Sequence, residues 1–147
     1  MKLNTMWMEP GRVDKLPEAR KKLGARIQKV FPSWKNIKQV AADAEVATGV
    51  RFVSTPGHTA GHVAFHVSSS SEQLMISNDT CYVPALVVPH PGWHGAYDAD
   101  GDLAEASRRK LMDRVIVDKI AISGSHFPFP GHGMIAKDGD AYAYSAA

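Results

Sequence analysis

The sequence is poor in cysteine and contains no long apolar run. Cys81 is the only cysteine among 147 residues, which excludes a disulfide within one chain. Nothing around Cys81 marks a nucleophile, so we expect a small buried residue. No stretch approaches the roughly 18 apolar residues of a spanning helix, and the first ten residues do not resemble a signal peptide. We therefore predict no membrane partner and, by default, a cytoplasmic location.

Several well-known catalytic and binding signatures are also missing. There is no G-x-S-x-G turn for a serine nucleophile, no H-E-x-x-H motif and no glycine-rich phosphate loop. Asp98, Asp100 and Asp102 have the spacing that opens a calcium loop. However, Leu103 stands where that loop needs glycine, and Arg109 where it needs glutamate. We interpret the segment as a helix cap, supplied by Asp100 or Asp102.

The composition is that of an ordinary folded domain, with 44% hydrophobic and 22% charged residues. The net charge of +2 conceals a basic segment, because nine of the 17 Lys and Arg residues fall between Arg12 and Lys38. No aromatic platform or nucleic-acid motif accompanies these charges, so we predict no nucleic-acid partner. A solvated helix face is the simplest interpretation, and an anionic partner or a covered surface are the alternatives.

Apolar periodicity separates a helical segment, residues 1–48, from a sheet with a helix, residues 49–147. In the first segment a helix begins at Pro17 and ends before Pro32, and a second short helix is predicted around residues 34–40. The strands that we predict in the second segment cover 50–55, 63–67, 74–77 and 119–123, with a hairpin around Asp138-Gly139. We assign residues 82–97 to an ordered loop.

The helix that follows this loop is predicted to bury Leu103, Ala106, Leu111 and Val115. Its solvent-exposed face would carry Arg108, Arg109 and Lys110. Helices and strands in this order predict a single domain of the α/β class, with α+β layers and a mixed, mostly antiparallel sheet.

Three side chains that bind metals well follow three of the predicted strands. His58 comes after the turn Thr55-Pro56-Gly57, Asp79 after strand 74–77, and His126 after strand 119–123. Loops at strand ends are where sites are built, so these three residues form a candidate metal site. Considered singly, histidines such as His62 are more often hydrogen-bonded structural residues, and this alternative stays open at this point.

At these residues the sequence resembles the metallo-β-lactamase superfamily. The resemblance lies in Thr55-Pro56-Gly57-His58-Thr59-Ala60-Gly61-His62, in Ile76-Ser77-Asn78-Asp79 and in Gly124-Ser125-His126. The tail Ser125–Gly133 and the run Asp79–Pro84 look like the branch of methyl parathion hydrolase and lactonase-like hydrolases. The resemblance spans most of this chain but about the C-terminal half of the family's domain. It implies the C-terminal αβ half of a four-layer αββα sandwich.

The resemblance also implies a dinuclear metal centre, commonly of zinc, with manganese, cobalt or iron as alternatives. His58 would bind the first metal, His126 the second, and Asp79 would bridge both as the catalytic carboxylate. His62 would lie behind the ligands and orient their loop. Such a centre uses a bridging hydroxide to attack an ester, a lactone or a phosphotriester, so the implied partner is a small ester-like substrate.

One departure from the family is clear, because no histidine precedes His58 and the motif H-x-H-x-D-H is absent. The resemblance therefore predicts a truncated hydrolase that is inactive on its own. The alternatives are a site completed by oligomerisation or by a separate N-terminal half, and a non-catalytic binding or structural module. Five aromatic residues could line a substrate pocket or pack in a core; they are Trp7, Trp93, Tyr97, Phe127 and Phe129.

Overall fold

The computed structural model describes residues 7–147, which separate into two compact units between Ala41 and Ala42. The first unit contains helix α1, Glu18–Val30, followed by a 3-10 turn, Phe31–Ser33. The predicted end of this helix near Pro32 is confirmed. The second short helix predicted around residues 34–40 is wrong, since that stretch is irregular. Asn36 adopts a φ of 62°, a left-handed conformation that interrupts a right-handed helix.

The second unit is built on a sheet of seven strands that lie side by side in their sequence order. The strands are β1 Glu45–Ala47, β2 Val50–Ser54, β3 Val63–Ser69, β4 Glu72–Ile76, β5 Ala121–Ser123, β6 His132–Asp138 and β7 Ala141–Ala146. Within the described sheet, β4 and β5 form the one parallel pair and every other pair is antiparallel. The predicted α/β class with a mixed, mostly antiparallel sheet is confirmed.

A long connection carries the chain from β4 to β5. It contains a 3-10 turn, Asn78–Cys81, then the short helix α2, Pro84–Val87, and the long helix α3, Gly101–Val117. Helix α2 lies within the segment that we predicted to be a loop. The predicted cap is confirmed, because the Asp100 carboxylate accepts a hydrogen bond from the amide of Leu103 at the start of α3.

Helix α3 buries Leu111 and Val115 as predicted, but its first half buries a different face from the one predicted. Its buried residues are Ala104, Ser107, Arg108, Leu111, Met112 and Val115, whereas Leu103 and Ala106 are exposed. The sequence-based stripe was therefore wrong by one position over the first half of the helix. The assignment of Arg108 to the solvent-exposed face was also wrong, since its side chain is 0% exposed. Ala104 and Arg108 lie one turn apart on the face that continues to Leu111.

The core lies between α3 and one face of the sheet. The sheet contributes Val53, Ala64, Met75 and Ile122, and the helix contributes Leu111, Met112 and Val115. Cys81 is also buried there, as predicted. Burial raises the pKa of its thiol to about 12, which agrees with a packing residue and not with a nucleophile. In residues 7–147 no helix combines the length and the apolar character that a membrane span requires.

Candidate metal centre

The strand directions bring the three predicted residues to one edge of the sheet. Two antiparallel steps lead from β2 to β4, and β5 is parallel to β4, so β2, β4 and β5 all end at the same edge. Asp79 and His126 each lie three residues beyond a strand end, after Ile76 and Ser123, and those two residues are paired in register. His58 follows the end of β2. The sheet therefore places the three side chains side by side.

The Asp79 carboxylate lies between the two imidazoles. Its Oδ2 is 3.7 Å from Nε2 of His58, and its Oδ1 is 3.6 Å from Nε2 of His126. His58 and Asp79 are half-buried, and His126 is exposed. Each carboxylate oxygen thus faces one histidine, and the cluster opens to solvent on the His126 side.

These spacings suit ligands that share a metal ion. With bonds of roughly 2.0–2.2 Å, two ligands of a tetrahedral zinc lie about 3.4 Å apart, close to both nitrogen–oxygen distances. Imidazole and carboxylate together suit zinc, manganese, cobalt or iron. However, among residues 7–147 no group of three or more histidine, cysteine or carboxylate side chains is arranged to hold one ion. His58 and His126 face different oxygens of Asp79, so each position has two protein donors from the described residues.

The turn before His58 is anchored on the start of α3. The carbonyl of Gly57 accepts hydrogen bonds from the amides of Ala99 and Asp100, and the Ser107 hydroxyl donates to the carbonyl of Pro56. Gly57 has a φ of +132°, a conformation that favours glycine. The backbone that carries His58 is therefore fixed by the helix as well as by the sheet.

His62 lies beside the backbone of Asp79. Its Nε2 accepts a hydrogen bond from the amide of Asp79 at 3.3 Å, and its Nδ1 is 2.9 Å from Oγ1 of Thr55. Burial lowers the pKa of His62, and the nearby His58 lowers it further. A neutral ring with Nε2 as acceptor carries its proton on Nδ1, which then donates to Thr55. His62 thus holds the backbone of Asp79.

Two residues that the sequence reasoning missed lie behind His58. Oδ1 of Asp98 is 2.9 Å from Nδ1 of His58, and Oδ2 is 3.7 Å from Nη2 of Arg108. The Asp98 side chain is 1% exposed and that of Arg108 is 0% exposed. One signal in the sequence could have identified Arg108, since it shares the apolar face of Ala104 and Leu111. A charged residue on such a face needs a buried partner.

Most of the candidate aromatic residues are not in the core. Trp93 and Tyr97 are exposed, and Phe129, in the loop after His126, is 97% exposed. Phe127 is half-buried and packs edge-on against Tyr144, with ring centroids 5.2 Å apart. The core alternative is therefore wrong for Trp93, Tyr97 and Phe129. Trp7, in the first unit, is half-buried.

Several known proteins are similar to this chain in sequence or in structure. No protein-family model matches the chain. An N-acyl homoserine lactonase from a Bacillus species is 30% identical over 95 residues, which are 62% of this chain and 36% of the relative. The structure of AidC, a dizinc quorum-quenching lactonase in complex with a homoserine product, superposes with a TM-score of 0.77 and 25% identity over 98% of this chain. The chain has a metallo-β-lactamase fold.

Two further solved structures support this fold. The hydrolase AbOPH of the β-lactamase superfamily has a TM-score of 0.78 at 23% identity, and the match covers 95% of this chain and 50% of AbOPH. An N-acyl homoserine lactone hydrolase with a product at its catalytic metal centre has a TM-score of 0.58 at 24% identity, over 72% of this chain and 44% of that protein. The matched part of AidC is 48% of its chain. This metallo-β-lactamase-fold chain thus spans about half the length of these structures.

Proposed function

We propose that His58, Asp79 and His126 are ligands in the two-metal centre of a hydrolase that acts on a lactone, an ester or a phosphotriester. The observation that carries this proposal is the Asp79 carboxylate, which turns one oxygen to His58 and the other to His126 at 3.7 and 3.6 Å. The similarity to lactonases, one of them described as dizinc, supports both the reaction class and zinc as the metal.

Each residue has a role that follows from its position. Asp79 would bridge, because its two oxygens face two different imidazoles. His58 would bind on the half-buried side and His126 on the side open to solvent, where substrate would enter. When bound, the metal ions would supply a water activated for attack at neutral pH and would stabilise the developing negative charge. His62 would keep Asp79 in place through its amide.

The donors in the described residues are too few for a complete centre. Each metal would receive one imidazole and one oxygen of a shared carboxylate, whereas catalytic zinc usually has three protein ligands. We therefore propose that this chain binds metal weakly when alone and turns over little or no substrate, with the remaining ligands supplied from outside the described residues. Calorimetry and hydrolysis assays on the isolated chain, with an acyl homoserine lactone, an aryl ester and a phosphotriester, test this point. Rapid turnover of any of them would refute it.

Metal titration of single variants tests the ligand assignment. We expect His58→Ala, Asp79→Asn and His126→Ala each to weaken Zn²⁺ or Co²⁺ binding at least tenfold, with the largest loss for Asp79→Asn because it serves both positions. His66→Ala is the matched control, since Nε2 of His66 is bonded to Gln73 on the neighbouring strand. Wild-type affinity in the Asp79→Asn variant, or an equal loss in the control, would overturn the assignment.

A further inference from the structure

Behind the proposed ligands lies a buried ion pair that reaches both ligand-bearing segments. Asp98 contacts the ring of His58, and the guanidinium of Arg108 donates from Nε to the carbonyl of Thr80 at 2.8 Å. Thr80 is the residue after Asp79. Arg108 also donates from Nη1 to the carbonyl of Pro91. One buried side chain therefore holds the Asp98 carboxylate and the backbone beside Asp79 together.

The acceptor pattern around Asp98 fixes the direction of each hydrogen bond. Oδ2 accepts from the amide of Gly95 at 2.9 Å and faces Nη2 of Arg108 at 3.7 Å, and both of these groups are donors only. Oδ1 lies 2.9 Å from Nδ1 of His58. An ionised carboxylate only accepts hydrogen bonds, so Nδ1 of His58 donates to Oδ1 and carries the proton. In a neutral ring this leaves the lone pair on Nε2, the atom that faces Asp79.

We propose that Asp98 and Arg108 are positioning residues for the metal centre. Asp98 holds His58 in the tautomer whose Nε2 lone pair points toward Asp79. Arg108 fixes the position of Asp98 relative to the backbone beside Asp79. The role of these two residues in metal binding rests on the proposed function. The tautomer itself is a property of the isolated chain and can be measured without any metal.

The variant Asp98→Asn makes a sharp test because it preserves shape and inverts the hydrogen-bond pattern. Asparagine has one acceptor end, and the donors of Gly95 and Arg108 require it at the Oδ2 position. The amide nitrogen then faces His58 and donates to Nδ1. His58 would have to carry its proton on Nε2, where it blocks metal binding. A buried carboxylate that orients a histidine acts in this way in other enzymes.

The first readout is the ¹⁵N chemical shifts of the His58 ring, recorded at a pH where imidazoles are neutral. The wild-type chain should show a protonated Nδ1 and an unprotonated Nε2, and Asp98→Asn should show the reverse. Asp140→Asn is the matched control, since Asp140 lies exposed in the turn between β6 and β7. A wild-type His58 protonated on Nε2, or an unchanged tautomer in Asp98→Asn, would overturn the inference.

The second readout is the affinity for Zn²⁺ alone. Replacing a residue that orients a metal ligand typically lowers affinity 10–100-fold, and we expect this loss for Asp98→Asn and for Arg108→Lys, which cannot contact Thr80, Pro91 and Asp98 at once. Arg109→Lys, on the adjacent and more exposed position of α3, should retain wild-type affinity. Wild-type affinity in both variants would refute the positioning role.

Failure of this inference is separable from failure of the proposed function. If the tautomer inverts but neither His58→Ala nor His126→Ala affects Zn²⁺ binding, the network is correct and the metal assignment is wrong. If both ligand variants lose Zn²⁺ and Asp98→Asn keeps its tautomer, the metal assignment holds and the positioning role is wrong. If the Asp98→Asn variant does not fold, Arg108→Lys tests the positioning role in its place, because it retains the positive charge beside Asp98.

Discussion

Gly57 touches the backbone of Ala104 in the first turn of α3 so closely that no side chain fits between them. A Cβ at Gly57 would lie 2.1 Å from the amide nitrogen of Ala104. We expect Gly57→Ala to lower the free energy of unfolding by about 3 kcal/mol or more, since left-handed strain and backbone overlap each contribute 1–3 kcal/mol. The overlap would force the backbone at Gly57 away from Ala104 and displace His58, so Zn²⁺ affinity should also fall. Urea denaturation and metal titration measure the two effects.

Gly139→Ala provides the comparison for that variant. Gly139 also has a positive φ, +57°, but a Cβ there would meet nothing within 4 Å. Only the conformational strain remains, about 1–2 kcal/mol, and Zn²⁺ affinity should not change. Equal losses of stability in the two variants would show that the contact with α3 contributes nothing.

His62→Leu should destabilise the chain, because it removes the acceptor of the Asp79 amide. A buried amide without a partner typically lowers the free energy of unfolding by about 1–3 kcal/mol. His66→Leu, which removes only the exposed hydrogen bond to Gln73, should have less effect in the same urea titration. A larger loss for His66→Leu than for His62→Leu would contradict the role that we assign to His62.

Arg108→Met leaves the Asp98 carboxylate buried without its counter-ion. Breaking a buried pair in this way typically lowers the free energy of unfolding by about 3–5 kcal/mol. Adding Asp98→Asn removes the stranded charge, so the double variant should lose clearly less than the sum of the two single losses. Chemical denaturation of the four proteins completes the cycle. Additive losses would mean that the two side chains do not interact.

The surface carboxylate Asp113 gives a testable pH dependence. Lys137 bonds to it at 2.6 Å and lowers its pKa, and the hydroxyl of Tyr142 donates to it at 2.8 Å. Because the folded pKa is below the usual 3.8, this stabilisation is present above pH 3.8 and is lost as the pH falls through the folded value. Asp113 is half exposed, so solvent screening limits the effect to about 1 kcal/mol or less.

Asp113→Asn should therefore be less stable than the wild type at pH 7, and the difference should shrink as the pH falls well below 3.8. Urea unfolding at several pH values measures this difference. A gap between the two proteins that widens toward low pH would contradict the assignment.

Cys81 should be inert to thiol reagents in the folded chain. It is 0% exposed, and its pKa of about 12 leaves almost no thiolate at pH 8. Modification by an aromatic disulfide should proceed only at the rate at which the chain unfolds, and rapidly in concentrated urea. Fast modification of the native chain would show that the region around Cys81 opens locally.

Local patterns predicted the ends of β2, β3, β4 and β5 to within two residues, although β1 lies in the segment that we predicted to be helical. Local patterns also indicated the three candidate ligands, because each depends on neighbouring residues. The turn before His58 and the run before Asp79 are both local signals. The partner of His58 could not be found in this way, since Asp98 lies 40 residues further along the chain. Arg108 was misplaced because charge was given more weight than its position on the apolar face of α3. The false helix after Pro32 depended on spacing, which carries no signal for the left-handed Asn36.

The parallel pairing of β4 with β5 affects the order in which the parts of the chain fold. In the described sheet, short connections join the antiparallel neighbours, whereas residues 77–120 must be looped out before β4 and β5 can meet. Closing that loop carries the largest entropic penalty and slows folding most. Asp79, Asp98 and Arg108 all belong to it. The antiparallel hairpins can therefore form early and independently of one another. The proposed centre forms in the slowest step, when the long connection between β4 and β5 closes.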